Sequence, residues 1–336
     1  MRKRSSFGLS IALAGVALVL AWAPSTLAQQ RVSAYITFEE HQAREIFKAF
    51  EQDTGVRVDW VRLSTGETVA RLEAERTNPQ AGIWVGGVDS GHIDAKTKGL
   101  TAPYRSPAAE AIPAKYKDKD GFWTGLYASP LTFAVNANLL KRYNLKAPAT
   151  WVDLLRPEYK GHIQVANPGS SGTAYNVITT LIFLWGEEKA FDYLKQLHKN
   201  VSQYTRSGAA PGKAAALGET VIGIGYLSDQ IELKVQGYPL EIIPPSEGTG
   251  YEIASISLIK NGPQPELAKK LYDWALSKRA AELYAGYFIV PFVEVPLKPG
   301  AIPIAQLKTV NQDNIWGAQN RKRLVEKWNT EVYAAR

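Results

Sequence analysis

Residues 150–186 read "TWVDLLRPEYKGHIQVANPGSSGTAYNVITTLIFLWG". The signals run in the order helix, strand, loop, helix. "GHIQVA" is a short apolar run, Asn167-Pro168-Gly169 is a turn, and the run after Ala174 has the periodicity of a buried helix. Between turn and helix stand Ser170, Ser171, Gly172 and Thr173. Such a start has two readings. Ser and Thr oxygens cap the free N–H groups of a first helical turn, which is their commonest use. Unused N–H groups, added hydroxyls and the positive end of the helix dipole also make an anion site. The stretch alone leaves both open.

Upstream the same alternation repeats. "RVSAYITF" (31–38) alternates like a strand, and "EEHQAREIFKAFEQDTG" (39–55) places Ala43, Ile46, Phe47 and Phe50 at helical spacing before Gly55. "VRVDWVRL" (56–63) is a second strand, "GETVARLEAERTNPQ" (66–80) a second helix, and "AGIWVGG" (81–87) a buried strand. Strand, helix, strand, helix, strand is the order of a parallel α/β sheet, in which ligands bind beyond the carboxyl ends of the strands. The first candidate ends therefore hold Tyr35 and Thr37, and Gly87.

Downstream, "GFWTGLYASPLTFAVNANLL" (121–140) is extended up to Asn136 and carries Tyr127. "EKAFDYLKQLHKNV" is a helix, and "RSGAAPGKAAALGETVIGIGYLSDQI" (206–231) gives a loop with Ser207, a short helix, a strand, and a second loop with Tyr226, Ser228 and Asp229. "YPLEIIPPSEGTGYEIASISLIK" (238–260) is two strands about a Pro/Gly corner that holds Glu247. A second α/β set thus sits inside the first. The expectation is two lobes with a cleft between them: 29–133 plus 252–300, and 134–251 plus 301–336. Two extended crossings near 126–135 and 250–258 would join them, and closure around a small ligand would follow.

The chain opens with basic Arg2, Lys3 and Arg4, an apolar run from Ile11 to Trp22, and small residues at Thr26-Leu27-Ala28. That is the pattern of a cleaved secretory signal over 1–28, too short in its apolar core for a span. There is no cysteine, hence no disulfide, no thiolate ligand and no lipid attachment at the cleavage site. A soluble periplasmic protein is the expectation. The formal charge of +7 falls to about +4 once the three signal charges are removed, with no basic block of the kind nucleic acid requires. "GSSG" and "VDSGH" both depart from G-x-S-x-G, so the serine-hydrolase alternative is remote. The four histidines, His41, His92, His162 and His198, form no zinc motif and read as surface or capping residues.

In order and spacing, "FKAFEQDTGVRVDW", "TWVDLLRPEYKGHIQVANPGSSGTAY", "GKAAALGETVIGIGY" and "SISLIKNGPQPELAKKLYDWALS" resemble periplasmic solute-binding proteins of ATP-driven importers, in the type II cluster that includes ferric-ion binding proteins. The resemblance implies a monomeric, non-enzymatic protein that hands a solute to an inner-membrane permease and its ATPase. It also implies an anion on Ser170, Ser171, Gly172, Thr173 and Ala174. Ferric binders of this type use two adjacent tyrosines, but here the loop reads Tyr226-Leu227-Ser228-Asp229, and Gly87 stands where another ligand is expected. Fe(III) on Tyr226 and Asp229 with a carbonate is the alternative. The segment "SEGTGYEIASISLIK" is more similar to binders of organic phosphates and phosphonates, in which acids such as Asp229 and Glu247 would meet hydroxyls or an ammonium. No resident cofactor is expected.

Overall fold

A computed structural model describes residues 29–335. The expected signal at 1–28 lies outside them. In chain order the elements are β1 (Arg31–Ile36), α1 (Glu40–Thr54), β2 (Arg57–Arg62), α2 (Thr65–Ala74), β3 (Ile83–Val88), α3 (Asp89–Thr97), β4 (Thr101–Ala102), β5 (Thr124–Asn136), α4 (Ala137–Arg142), β6 (Ile163–Ala166), α5 (Gly172–Trp185) and α6 (Glu187–His198). There follow β7 (Val201–Thr205), α7 (Ala210–Leu217), β8 (Ile222–Tyr226), α8 (Leu227–Val235), β9 (Leu240–Ile243), β10 (Tyr251–Ile259), α9 (Pro265–Ala275), α10 (Lys278–Gly286), β11 (Val290–Pro291) and α11 (Asn314–Glu331).

The sheet order is β2-β1-β3-β10-β5-β8-β6-β7. β1 to β3 are parallel, as are β6, β7 and β8, which is the α/β architecture the alternation predicts. Two cores lie on either side of β5. One joins Ile36, Phe47, Phe50, Ile83, Ile256 and Leu271, and the other joins Phe133, Trp151, Ile163, Ile178, Phe191 and Ile224. The chain therefore folds as two lobes, and β5 belongs to both: Thr124–Pro130 pairs with β10, and Leu131–Asn136 pairs with β8 and β9.

Four details differ from expectation. The ladder is continuous through β5, so the lobes share one paired strand where two extended crossings were expected. β10 lies wholly in the first lobe against β3, β4 and β5, and the return to that lobe is made in the corner before Tyr251. α11 packs both ways, giving Leu324 and Trp328 to the second core and Ala318 to the first. The stretch read as a helix at 150–160 forms only 3-10 turns, Val152–Leu155 and Pro157–Tyr159, because Pro157 ends the first turn.

Candidate functional site

The carboxyl ends of six parallel strands point at one cleft between the lobes, and a helix leaves each of them. Thr37, Phe38 and Glu39 precede α1, Ser64 and Thr65 begin α2, and Gly87 and Val88 precede α3. From the other lobe come Ser171, Gly172 and Thr173 of α5, Gly208 and Ala209 before α7, and Tyr226, Ser228 and Asp229 of α8. Tyr127, Gln42, Arg62, Glu252 and Ile289 complete the lining. Six converging helix starts give the cleft a positive field without a ring of lysines.

The α5 start is built to keep donors free. Ser171 is the N-cap, its Oγ accepting the N–H of Ala174 at 3.3 Å, and its carbonyl accepts that of Tyr175 at 3.1 Å. The N–H groups of Gly172 and Thr173 have no partner among the described residues, and no acid sits in the first turn. The Tyr226 hydroxyl is buried at the same place, near the Thr173 side chain, and makes no hydrogen bond of normal geometry with a described residue. Burial, with nearby Glu252 and Asp89, pushes that hydroxyl well above its ordinary range. It stays protonated and able to donate.

Carboxyl groups hold another part of the cleft. Burial pushes Asp229 up to about 7, and neighbouring Glu39 and Glu232 add to the effect. Glu252 is raised well above the carboxylate range by burial and by Asp229 and Asp89. The carboxyl group of neither Asp229 nor Glu252 makes a hydrogen bond or ion pair with another described residue. Asp89, behind them, is pushed up to about 7 by burial although Ser90 N–H and Asn314 donate to it at 2.9 and 2.6 Å. Glu39 differs: burial would raise it, but Arg62 at 2.5 Å and Lys213 outweigh that and hold it low.

Bonds between the lobes show the cleft closed. The Gly66 N–H donates to Ser170 O at 2.9 Å, Arg62 donates to Ser207 Oγ at 3.1 Å, and Arg206 Nε donates to Glu67 at 2.9 Å. Two glycines make the approach feasible. A Cβ on Gly172 would lie 2.6 Å from Thr65 Oγ1 and from Val88 Cγ2, and one on Gly66 would lie 2.2 Å from Gly169 O.

Of the residues named from sequence, Thr37, Gly87, Tyr127, Ser171, Gly172, Thr173, Tyr226, Ser228 and Asp229 line the cleft. Ser170 sits beside it, its hydroxyl donating to Arg206 O at 3.0 Å, and Ala174 is buried one step into the helix. Ser207 accepts from Arg62 at the rim. Two placements are corrected. Glu247 caps a turn, its carboxylate accepting the N–H groups of Trp151 and Val152 at 3.0 and 3.2 Å, outside the cleft. Tyr35 packs in a core with Val69, Leu72 and Trp84, outside the cleft lining, and its hydroxyl donates to Glu75 at 2.5 Å. The histidine reading also fails at two positions. His92 is fully buried, stacked 3.7 Å from Trp84 and bonded to Ser257 and Gly86 O, and His198 is buried against Tyr204. Sequence reasoning missed Glu252, Arg62, Glu39 and the Ser64-Thr65 start. The last had a signal: Ser64-x-x-Glu67 is a capping-box spacing, and the Glu67 carboxylate does accept the Ser64 N–H at 3.0 Å.

The family model for bacterial extracellular solute-binding proteins matches residues 91–316. The chain belongs to this family. The solute-binding protein is 40% identical to the periplasmic binding protein AfuA of Actinobacillus pleuropneumoniae, solved with exogenous fructose-6-phosphate bound, with a TM-score of 0.89 over 92% of this chain and all of the other. It is 31% identical to a putative 2-aminoethylphosphonate-binding periplasmic protein of Salmonella paratyphi A, over 77% of this chain and 76% of that one. A ferric binding protein from Campylobacter jejuni shares the fold at 22% identity, with a TM-score of 0.74 over 89% of this chain and 98% of the other. The type II two-lobe fold expected of the solute-binding protein is thereby shown, as is its likeness to importer components. Among its described residues no helix is long and apolar enough to cross a membrane, and no group of three or more His, Asp or Glu could hold a metal.

Proposed function

We propose that the protein captures a small phosphorylated polyol, of the sugar-phosphate class, in the periplasm, and passes it to an inner-membrane permease driven by an ATPase. In this reading it is a monomeric carrier with no catalytic step, no resident cofactor and no nucleic-acid partner, secreted through the signal at 1–28 and not lipidated. One observation carries the ligand class: the cleft is bipolar. Free N–H groups and hydroxyls at the α5 start suit a phosphoryl group, whose charged oxygens accept strong hydrogen bonds. Asp229 and Glu252 suit the other end. Carboxyl groups raised toward neutral pH both donate to and accept from hydroxyls, which favours a polyol over an ammonium, whose best partner is an ionised carboxylate. The fructose-6-phosphate in AfuA supports the same class.

Titration calorimetry against fructose 6-phosphate, 2-aminoethylphosphonate and ferric citrate tests this. Tight, stoichiometric binding of the first is expected. Binding of the aminophosphonate alone would move the reading to phosphonates. Uptake of Fe(III) with a tyrosinate charge-transfer band would replace it by the iron reading on Tyr226.

A further inference from the structure

Outside the main cleft, the first turn of α1 faces the second turn of α8 across the gap between the lobes. His41 Nε2 lies 2.6 Å from Glu232 Oε1, and Gln42 Nε2 donates to Glu232 Oε2 at 3.0 Å. Each carboxylate oxygen thus takes a partner from the opposite lobe. Gln236, one turn along α8, donates to Oε1 at 3.3 Å. The Glu232 side chain is only 13% exposed while His41 is half exposed, so closure takes a carboxylate out of water and gives it new partners at the same time. The negative group also faces the amino end of α1, which favours it electrostatically.

We propose that Glu232 is a latch for the closed state: a positioning residue that does not touch the ligand, fixes how often the lobes are shut, and is strengthened when His41 carries a proton. The proposal rests on ligand capture by closure, as argued above. Closure raises affinity only through contacts made in the closed state, and this latch adds such contacts away from the ligand. The latch also gives His41 a function that requires no metal.

The other groups around the latch are few. A small cavity beside it is lined by Glu39, His41, Lys213, Asp229, Glu232 and Gln236. Glu39 is held by Arg62 and Lys213, and Glu40 pairs with Arg44 on their own helix. Tyr287 meets the His41 ring edge-on at 5.7 Å, with Glu45 near it. Asp229, one turn before Glu232, is the nearest competing titrating group. With a charged imidazolium on His41 the contact to Glu232 is an ion pair, whereas a neutral imidazole keeps only a single hydrogen bond to the carboxylate. The closed population contributed by the latch therefore falls as pH rises.

The test uses the mature protein and a Lys48→Cys, Lys189→Cys background for spin labels, one per lobe, in a chain with no other cysteine. Glu232→Ala and His41→Gln are compared with the parent at pH 5.5 and 7.5. Expected for Glu232→Ala is about tenfold weaker binding of fructose 6-phosphate at pH 5.5, expressed as faster release with little change in association rate, and a smaller closed population by pulsed spin–spin distance. His41→Gln keeps a donor without the charge, and should keep most affinity at pH 7.5 while losing the gain at pH 5.5. Equal release rates and equal closed populations in all three proteins would overturn the latch. If fructose 6-phosphate fails to bind the parent, the ligand assignment falls, and the distance populations without ligand still decide the latch: no difference between parent and Glu232→Ala at pH 5.5 overturns it.

Discussion

Two helix starts meet across the cleft, and they differ in one respect. Ser64-Thr65-Gly66-Glu67 opens α2 and Ser170-Ser171-Gly172-Thr173 opens α5, so each offers hydroxyls and a glycine. At α2 the Glu67 carboxylate folds back on the Ser64 N–H and is itself paired with Arg206 from the other lobe. The positive end of that helix already has its anion. At α5 there is no acid in the first turn, and the N–H groups of Gly172 and Thr173 are unused. Similar caps therefore have different meanings, and the presence or absence of an internal carboxylate decides which one is open to a ligand.

The sharpest way to break the contrast is at Gly172. Gly172→Asp should remove measurable binding of fructose 6-phosphate in calorimetry. Steric exclusion is the first cause, because a Cβ there meets Thr65 and Val88, so Gly172→Ala should also lose well over tenfold and stay open in small-angle scattering. An alanine variant that binds normally would show that closure does not bring α2 and α5 into contact.

Next in size is the carboxyl end. The folded-state values of Asp229 and Asp89 are raised to about 7, above those of an unfolded chain near 4. Protons are bound more tightly in the folded state, so this contribution is full below about pH 4 and is lost as pH rises toward 7. Asp229→Asn should remove its share of that loss, leaving the ligand-free protein about 1–3 kcal/mol more stable than the parent at pH 8, read from urea unfolding. Unchanged pH dependence would mean the site admits enough water to leave Asp229 ordinary.

Thr173→Ala removes one donor from α5 and should weaken phosphate-ester binding by about 1–2 kcal/mol, the scale of a hydrogen bond to a charged group. Removing the partner of the opposing start's Glu67 should matter least. Arg206 is largely exposed, so Arg206→Ala should cost less than about 1 kcal/mol in affinity. A larger loss than at Thr173 would invert the comparison and make α2 the anion site.

Much of this was legible in the chain. Alternating strands and helices, with Gly55 and Pro79 as stops, are local signals, and the α5 start announces itself by hydroxyls ahead of an apolar run. What lies between lobes was not legible. Glu252 stands in an alternating strand, where an acid ordinarily faces water; here it is buried and lines the cleft together with residues of both lobes. Glu247 lay in the same corner and drew the assignment instead, although its nearest donors are the N–H groups of a turn 95 residues earlier. The Glu67 capping box was readable, but nothing local says that Ser170 comes to lie against Gly66. The shared strand escaped for a related reason: thirteen buried residues in a row mark an extended crossing, not where its pairing changes hands.

That change of hands has a mechanical consequence. β5 passes from one ladder to the other at Pro130 and Leu131, with Pro130 opposite Tyr251 and Leu131 opposite Tyr226. A loose loop resists bending only through its entropy, whereas a paired strand resists twist through every bond of its ladder. Opening must wind this strand, so the joint behaves as a torsion bar: its travel is short, its axis is set, and it returns elastically when released.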